Sequence, residues 1–213
     1  CGGGSVSRYA YPGRIAQVGI EDLRLVSEHD TTRPADEDHA WFAVALDKVE
    51  DGWVRRVEAR HFVSYVINAE ADARRLTIED VDARAPVSEV GGYRRRVFYT
   101  AGQQVLFRRC TSERGRRDFG VGFTAAGPNV FLESRATEAM DWSGPLESWA
   151  SGVLYDNVVI RGNALRLTNR RTAQQGMGWT AANSVLWNCE ATDVEVVSPP
   201  GAANQAYGCK GVV

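Results

Sequence analysis

A ten-residue pattern that recurs along the chain is the feature that most limits how this protein can fold. Its clearest copy is residues 103–112, where the apolar or small residues Val105, Phe107, Cys110 and Ser112 are spaced by two, three and two positions. A strand keeps a period of two, whereas a helix shows spacings of three and four. A single step of three between two strand-like pairs predicts an extended chain that turns a corner, with Phe107 and Cys110 both facing inward.

This pattern, the corner repeat, occurs seven times. Its central pairs are Ile20/Leu23, Val54/Val57, Ile78/Val81, Phe107/Cys110, Phe131/Ser134, Tyr155/Val158 and Leu186/Cys189, at intervals of 24 to 34 residues. Repeats of this length are typical of solenoid proteins. Because the repeats are rich in Val, Ile, Phe and Tyr and include no long amphipathic helix, they predict an all-β solenoid of roughly seven to eight coils.

The two residues inside each corner repeat alternate in charge along the first four copies. They are Glu21/Asp22, Arg55/Arg56, Glu79/Asp80 and Arg108/Arg109. Coils of a parallel solenoid stack at the strand spacing of roughly 4.8 Å. An acidic, basic, acidic, basic order therefore brings opposite charges together and favours one register of the coils. We interpret these arginines as structural.

Length and composition indicate one domain over residues 1–213, with residues 1–13 as a loose, Gly-rich lead-in. The net charge of −2 argues against a nucleic-acid partner, and no apolar run is long enough for a transmembrane segment. The chain starts with Cys1 and a Gly/Ser spacer, which resembles an acylated lipoprotein terminus and would give a lipid anchor. The same start fits a cut inside a longer protein, of which these residues would be a fragment.

The cysteine spacing leaves one pairing open. Cys110 and Cys189 lie three coils apart, which is too far for a disulfide. Cys189 and Cys209 are nearly one coil apart and would be stacked neighbours. They form either a disulfide or two buried free thiols, and free cysteine packs well as a small hydrophobe.

Two segments between corner repeats are notable for their composition. Residues 27–39 hold five carboxylates together with His29 and His39, which fits either a cation site with oxygen ligands or a solvated acidic loop. Residues 94–117 hold eight arginines, which fits either an anionic partner or an ion-paired surface. Residues 41–46 read as a buried strand.

One side of the predicted stack carries several candidate functional residues. In register, His61, Arg84, Arg114, Glu138 and Arg161 follow successive corner repeats and would form one row, with Arg60 beside His61. A separate loop carries Trp142 and Trp149. These tryptophans would be either platforms for sugar rings or lids over the solenoid edge.

Residues 152–158 and 185–189, together with the seven corner repeats, resemble the pectate-lyase-like superfamily of right-handed parallel β-helices, which includes secreted bacterial proteins mostly described by fold. The resemblance covers residues 18 to about 209. It implies a right-handed parallel β-helix that acts on carbohydrate, and a secreted, periplasmic or cell-surface bacterial protein. The implied partner is an acidic, uronate-containing polysaccharide cleaved by β-elimination.

That chemistry needs a group that neutralises the uronate carboxylate, a base for the C5 proton and an acid for the leaving oxygen. We expect His61 to be the base, Arg60 and Arg117 to hold the carboxylate, and Asp118 to orient a neighbour or bind a metal. Substrate binding is expected at Arg84, Arg114, Trp142 and Trp149, and calcium is a conceivable cofactor. The alternative is a non-catalytic glycan-binding or structural module. If the protein cleaves its substrate, we expect the row at Arg60 and His61 to be exposed and concave. If it is a non-catalytic module, we expect that row to be flat and ion-paired, with the aromatic residues elsewhere.

Overall fold

The structure is a computed structural model that describes residues 5, 6, 8 and 10–212. In these residues the regular secondary structure is almost entirely β-strand. The strands are β1 (Ile15–Ala16), β2 (Gly19–Val26), β3 (Val44–Leu46), β4 (Val49–Arg60), β5 (Ile67–Ala69), β6 (Arg74–Arg84), β7 (Arg96–Thr100), β8 (Gln103–Arg108), β9 (Thr111–Glu113), β10 (Arg117–Val121), β11 (Ala126–Leu132), β12 (Arg135–Thr137), β13 (Gly144–Pro145), β14 (Ala150–Asp156), β15 (Val159–Ile160), β16 (Leu165–Leu167), β17 (Ala181–Ala182), β18 (Val185–Trp187), β19 (Glu190–Val196), β20 (Gln205–Tyr207) and β21 (Lys210–Val212). A short helix, α1 (Ala173–Gly176), lies between β16 and β17. The predicted all-β class is confirmed.

The strands form two sheets. One has 16 strands, and the other has five in the order β13-β10-β7-β5-β3. Strands next to each other in a sheet run parallel and belong to different repeats, as β4, β6 and β8 show. Parallel neighbours need a long connection between them. Here that connection passes through the other sheet: β10 of the five-stranded sheet lies between β9 and β11 of the larger one.

The predicted register of the corner repeats is confirmed. Their first inward residues pair from strand to strand across the large sheet, in the order Ile20, Val54, Ile78, Phe107, Phe131, Tyr155 and Leu186. The series continues to Ala206 on β20. The insertions between repeats therefore leave the alignment of the inward positions intact.

A left-handed residue makes each corner. The second residue between the inward pair has φ between 48° and 58° in all seven copies: Asp22, Arg56, Asp80, Arg109, Glu133, Asn157 and Asn188. Outside glycine, Asn and Asp this conformation is disfavoured, and it reverses the local direction of the side chains. One such residue lets the first and fourth positions both face inward, which explains the step of three in the sequence.

The two sheets enclose one apolar core. Phe98 and Phe119 from the five-stranded sheet are fully buried with Phe107 and Phe131 from the larger sheet. The rings stack along the coils, with 4.7 Å between the centroids of Phe107 and Phe131 and 5.7 Å between those of Phe98 and Phe119. Burying each ring contributes about 1.5–3 kcal/mol to folding.

Cys189 and Cys209 are stacked free thiols, which is one of the two predicted alternatives. Their successors Glu190 and Lys210 pair in register on β19 and β21, and both thiols are free, as is that of Cys110. Burial raises the pKa of Cys189 to about 12. Cys1, and with it the predicted lipid anchor, lies outside the described residues.

The alternating corner charges form ion pairs between coils. Arg56 approaches Asp22 at 2.6 Å, and Arg109 approaches Asp80 at the same distance. Arg55 also pairs with Glu21. Exposed pairs of this kind contribute about 0.2–1 kcal/mol each. The structural interpretation of these arginines therefore agrees with their contacts.

The lead-in is only partly described, because residues 1–4, 7 and 9 lie outside the described residues. Tyr11 donates a 3.1 Å hydrogen bond to Asp72, and Arg14 donates one of 2.7 Å to the carbonyl of the same residue. The first strand starts at Ile15. In the described part of the chain, no helix has the length and apolar character needed to cross a membrane.

Candidate functional site

The predicted row at Arg60 and His61 is split between two neighbouring positions of the coil. Arg60 pairs in register with Arg84, whereas Arg114 and Glu138 occupy the position that follows, as does His61. These residues all lie at the ends of strands in the 16-stranded sheet. The expected single row is therefore two adjacent rows.

The arginines along this side have acidic partners within the chain. Arg60 pairs with Glu58, and Arg84 pairs with Asp82. Arg161 lies 2.6 Å from Glu190, while Arg114 lies 3.9 Å from Glu138. An ion-paired surface of this kind was the arrangement expected of a binding or structural module.

His61 packs against another histidine. Its ring lies edge-on to His29, with 4.7 Å between the centroids. Burial is the main cause that lowers the pKa of His61, followed by the nearby charge of His29, whereas a hydrogen bond to the Ser27 backbone raises it. His61 therefore packs against the segment that contains Ser27 and His29.

Asp118 is buried inside the fold. It is completely inaccessible to solvent, and its Oδ1 accepts a 2.6 Å hydrogen bond from the Ser112 hydroxyl. Its Oδ2 has no hydrogen-bond partner among the described residues, and burial raises the pKa of the carboxyl to about 6. Neighbouring residues of a strand face opposite ways, so Asp118 points away from the side on which Arg117 lies.

Arg117 and Trp142 are the two predicted site residues that the fold brings into contact. The Arg117 guanidinium lies 4.3 Å from the centre of the Trp142 ring and donates a 2.8 Å hydrogen bond to the Trp142 carbonyl. Asp141 neutralises it at 2.8 Å. Trp142 is only 9% exposed, so its indole is packed and is not an open platform for a sugar ring. Burial lowers the pKa of Arg117 to about 10.

Trp149 is in a different place. It is 45% exposed, follows β13 by a short connection, and donates its backbone N–H to the carbonyl of Trp179 at 2.9 Å. Trp149 therefore packs in a different place from the Arg117 and Trp142 pair.

A groove of about 310 Å³ lies on the outer side of the five-stranded sheet. We call it the aromatic groove. Its walls are aromatic and its polar groups are few, as is typical of ligand sites. It is lined by the aromatic side chains of Trp41, Phe42, Tyr65, Tyr93 and Tyr99, and by the polar side chains of Asn68, Glu70, Arg96 and Glu147.

Strand register and two insertions build this groove. Asn68 on β5 and Tyr99 on β7 pair in register and face outward. Tyr65 stands next to Tyr99, with 5.4 Å between ring centroids, and Phe42 meets Tyr65 edge-on at 5.0 Å. The insertions supply the rim, where Trp41 is 37% exposed, Phe42 is 43% exposed and Tyr93 is 65% exposed.

Arg96 is the central cation of the aromatic groove. Its side chain is only 10% exposed, and its guanidinium lies 4.3 Å from the centre of the Tyr93 ring. It donates a 3.4 Å hydrogen bond to the Tyr65 hydroxyl and approaches Glu147 at 3.6 Å. Its Nε has no hydrogen-bond partner among the described residues. A buried donor without a partner is costly. Because this Nε is shielded from solvent, a ligand would contact the part of the Arg96 side chain that remains exposed.

Glu147 and Tyr99 form the polar end of the groove. The Tyr99 hydroxyl donates a 3.1 Å hydrogen bond to Glu147, and the same carboxylate oxygen accepts the Phe123 backbone N–H at 2.8 Å. Burial raises the pKa of Tyr99, and it also raises that of Tyr65. Both phenols are therefore protonated at neutral pH. The Tyr65 hydroxyl can donate to a ligand, whereas the Tyr99 hydroxyl donates to Glu147.

Several arginines lie near Arg117, beside the groove. Arg96, Arg116 and Arg170 each lower the pKa of Arg117 through their charge, while Asp141 raises it. Glu147 and Asp141 also act on Arg170. The lining of the groove itself holds one guanidinium, Arg96, and two carboxylates, Glu70 and Glu147, while the other arginines lie beside it. The described residues include no group of three or more His, Cys, Asp or Glu side chains arranged to hold a metal ion.

The sequence prediction missed most of the aromatic groove. Residues 41–46 were expected to be a buried strand, but β3 starts at Val44, and Trp41 and Phe42 are partly exposed at the rim. The five-stranded sheet has no corner repeat of its own, so its outward residues carry no repeated signal. The concentration of arginines in residues 94–117 was the signal closest to the site, since it contains both Arg96 and Arg117.

Comparison of the chain with protein-family models, with curated proteins and with solved structures found no match.

Proposed function

We propose that this protein is a right-handed parallel β-helix that binds an acidic polysaccharide in the aromatic groove. The observation that carries the proposal is Arg96, a largely buried arginine that lines the groove together with the exposed rings of Trp41, Phe42 and Tyr93. Parallel strands that pair repeat by repeat, with one core inside two sheets, support the solenoid. The proposed location is secreted, periplasmic or at a bacterial cell surface.

The chemistry of the groove suits a chain of uronate sugars. The apolar faces of sugar rings pack on aromatic rings, which bury large area at a small entropic cost. A guanidinium binds a carboxylate through two parallel hydrogen bonds, which are stronger than neutral ones. The Tyr65 and Tyr99 hydroxyls, with the side chains of Asn68 and Glu70, are placed to bind sugar hydroxyls.

A second candidate function is cleavage of the bound chain by β-elimination. It is favoured by one contact, the 3.4 Å hydrogen bond from Arg96 to the Tyr65 hydroxyl. Burial raises the pKa of Tyr65 and the Arg96 guanidinium opposes that effect. Tyr65 would have to release its own proton to solvent before the phenolate could take the C5 proton, while Arg96 neutralises the uronate carboxylate. Tyr99, held by Glu147, would then protonate the leaving oxygen. In this scheme His61 takes no part.

Calorimetric titration tests the binding proposal. Purified protein is titrated with oligomers of polygalacturonate and of alginate, with a neutral β-glucan oligomer for comparison. We expect binding of at least one acidic oligomer and a loss of about tenfold or more in Arg96→Gln, because a charged hydrogen bond of about 1.5–3 kcal/mol is removed. Arg161→Gln is the matched control, since Arg161 is 59% exposed and pairs with Glu190 away from the groove.

Equal affinity in wild type and Arg96→Gln would contradict the assignment of the site, and no binding of any oligomer would contradict the function. Thermal unfolding of both variants checks that they are folded. The same acidic oligomers, followed by ultraviolet absorbance for new unsaturated ends, test cleavage. An absorbance rise that disappears in Tyr65→Phe supports the second candidate, and the absence of any rise leaves a binding module.

A further inference from the structure

Three cysteines occupy equivalent positions in the solenoid. Cys110 and Cys189 are the second residue of the central pair in the fourth and seventh corner repeats, and Cys209 has the same position on the coil that follows. Each thiol contacts the carbonyl oxygen two residues earlier in the chain and a second carbonyl oxygen in the preceding coil. The three sulfur atoms therefore lie in one row that follows the stack of coils.

Cys189 and Cys209 are direct neighbours in this row. The pairing of β18 with β20 before the two cysteines and that of β19 with β21 after them have the same register, so the cysteines lie level with each other. The backbone N–H of Lys210 donates a 2.8 Å hydrogen bond to the carbonyl of Cys189. The two thiols are themselves in hydrogen-bonding contact.

The spacing of neighbouring coils suits a disulfide at this position. Paired residues of adjacent strands lie about 4.8 Å apart, and disulfides join residues whose Cα atoms are roughly 4.4–6.8 Å apart. Because Cys189 and Cys209 both face inward from the same position of the repeat, their sulfur atoms can bond without a change in strand register. Cys110 differs, since its in-register neighbours are Val81 and Ser134.

We propose that Cys189 and Cys209 are an oxidisable pair, which a small disulfide such as oxidised glutathione converts into a disulfide bond that fastens β20 and β21 to the preceding coil. Among the described strands, β20 pairs with β18 alone and β21 pairs with β19 alone. This coil is therefore held from one side, and a covalent bond to its neighbour restricts its opening. The inference is independent of the proposed function.

Exposure sets the order of the two steps. Cys209 is partly exposed whereas Cys189 is only 1% exposed, so Cys209 reacts first. Its thiolate attacks one sulfur of oxidised glutathione, which forms a mixed disulfide and releases one glutathione thiolate. The Cys189 thiolate then attacks the Cys209 sulfur and releases the second glutathione, and the two glutathiones take up both thiol protons. Burial raises the pKa of Cys189 to about 12, so the second step is the slower one and becomes faster as pH rises.

Peptide mapping of the oxidised protein tests the pairing. The reduced protein is incubated with oxidised glutathione, the remaining thiols are blocked with iodoacetamide in denaturant, and the chain is cleaved after glutamate. Cleavage between the two cysteines, at Glu190 and Glu195, makes their disulfide visible in the mass spectrum as two linked peptides. We expect a link between Cys189 and Cys209 and a blocked Cys110. Glutathione that stays attached to Cys209, a link from Cys209 to another cysteine, or an unreacted Cys209 would each overturn the pair.

Hydrogen exchange tests whether the bond fastens the coil. We expect the amides of β20 and β21 to exchange about tenfold or more slowly in the oxidised protein than in the reduced protein, and dithiothreitol to restore the faster rates. Amides of β8 and β11 serve as the internal reference and keep their rates. Cys209→Ala abolishes the difference, whereas Cys110→Ala, which removes a buried thiol at the same position of the repeat, retains it. Unchanged exchange of β20 and β21 in protein that carries the disulfide overturns the proposed effect of the bond.

Discussion

The ring of Phe131 stacks on the ring of Tyr155 in the next coil, with 4.9 Å between their centroids and 8° between their planes. Both side chains are fully buried, and the two residues pair in register on β11 and β14. The distance between the rings is close to the spacing of neighbouring strands. The rings in the core therefore repeat with nearly the same spacing as the strands in the sheet.

Phe131→Ala removes the middle ring of the stack formed by Phe107, Phe131 and Tyr155. We expect a loss of about 3–5 kcal/mol in the free energy of unfolding, because a cavity remains among stacked neighbours. Urea denaturation followed by circular dichroism measures it. Phe131→Leu keeps most of the volume and should cost less. A loss close to zero in Phe131→Leu would show that the ring stack itself contributes little.

Asn157→Ala tests the left-handed corner. Asn157 has φ of 52°, and its side chain is exposed. Alanine in this conformation costs about 1–2 kcal/mol, whereas asparagine tolerates it better and glycine adopts it freely. We expect Asn157→Ala to lower the free energy of unfolding by about 1 kcal/mol and Asn157→Gly to stay close to wild type. Thermal denaturation of the two variants compares them, and the reverse order would contradict the role of the left-handed residue.

Asp118→Asn tests the buried carboxyl. Its pKa is raised to about 6 in the fold, against about 4 in an unfolded chain. The folded state therefore binds more protons between pH 4 and pH 6, and the stability contributed by this group falls as pH rises through that window. Above pH 6 the ionised carboxylate costs up to about 3 kcal/mol, from the size of the shift.

We expect Asp118→Asn to be more stable than wild type at pH 7.5 by roughly 1–3 kcal/mol, with the difference shrinking toward pH 4. Urea denaturation at several pH values gives the difference directly. Taking the difference between the two proteins cancels the contributions of the other titratable groups, which they share. A difference that does not change with pH would mean that folding leaves the pKa of Asp118 unchanged.

Trp41→Ala and Tyr93→Ala test the rim of the aromatic groove. Each removes an exposed ring, so we expect little change in stability but a loss of affinity for the acidic oligomer of about three- to tenfold, or ~0.5–1.5 kcal/mol. Trp187→Ala is the control, because Trp187 is 46% exposed on β18 of the other sheet, where its ring lies 5.6 Å from Tyr207. Equal losses in all three variants would show that the groove is not the site.

The corner repeat shows how far sequence reasoning reaches. Its step of three predicts the inward pairs such as Phe107 and Cys110, and both are completely buried. The alternating corner charges likewise predict which residues meet, as in the 2.6 Å contact of Arg109 with Asp80. These relationships are encoded by spacing, because strands repeat with a period of two and each coil stacks on the next.

The sequence did not predict which residues form the aromatic groove. Trp142 and Trp149 share one short loop and were expected to act together, but Trp142 packs under Arg117 while Trp149 is exposed. Arg117 and Asp118 are neighbours in sequence and point to opposite sides of β10. The outward face of a short strand depends on which residues cover that strand. Insertions of irregular length have no sequence period, so the sequence does not predict which face they cover.

The sequence by itself determined the all-β class, the register of the parallel strands, the corners and the stacked core, because each of these depends on local period and on identical spacing between repeats. Only the tertiary structure decided that Trp41, Tyr93 and Arg96 meet around one groove, and that the ring of His29 contacts those of His39 and His61. Those residues come from insertions whose paths are set by contacts far apart in sequence, and the physical reason is that an irregular loop takes its position from the surface on which it packs.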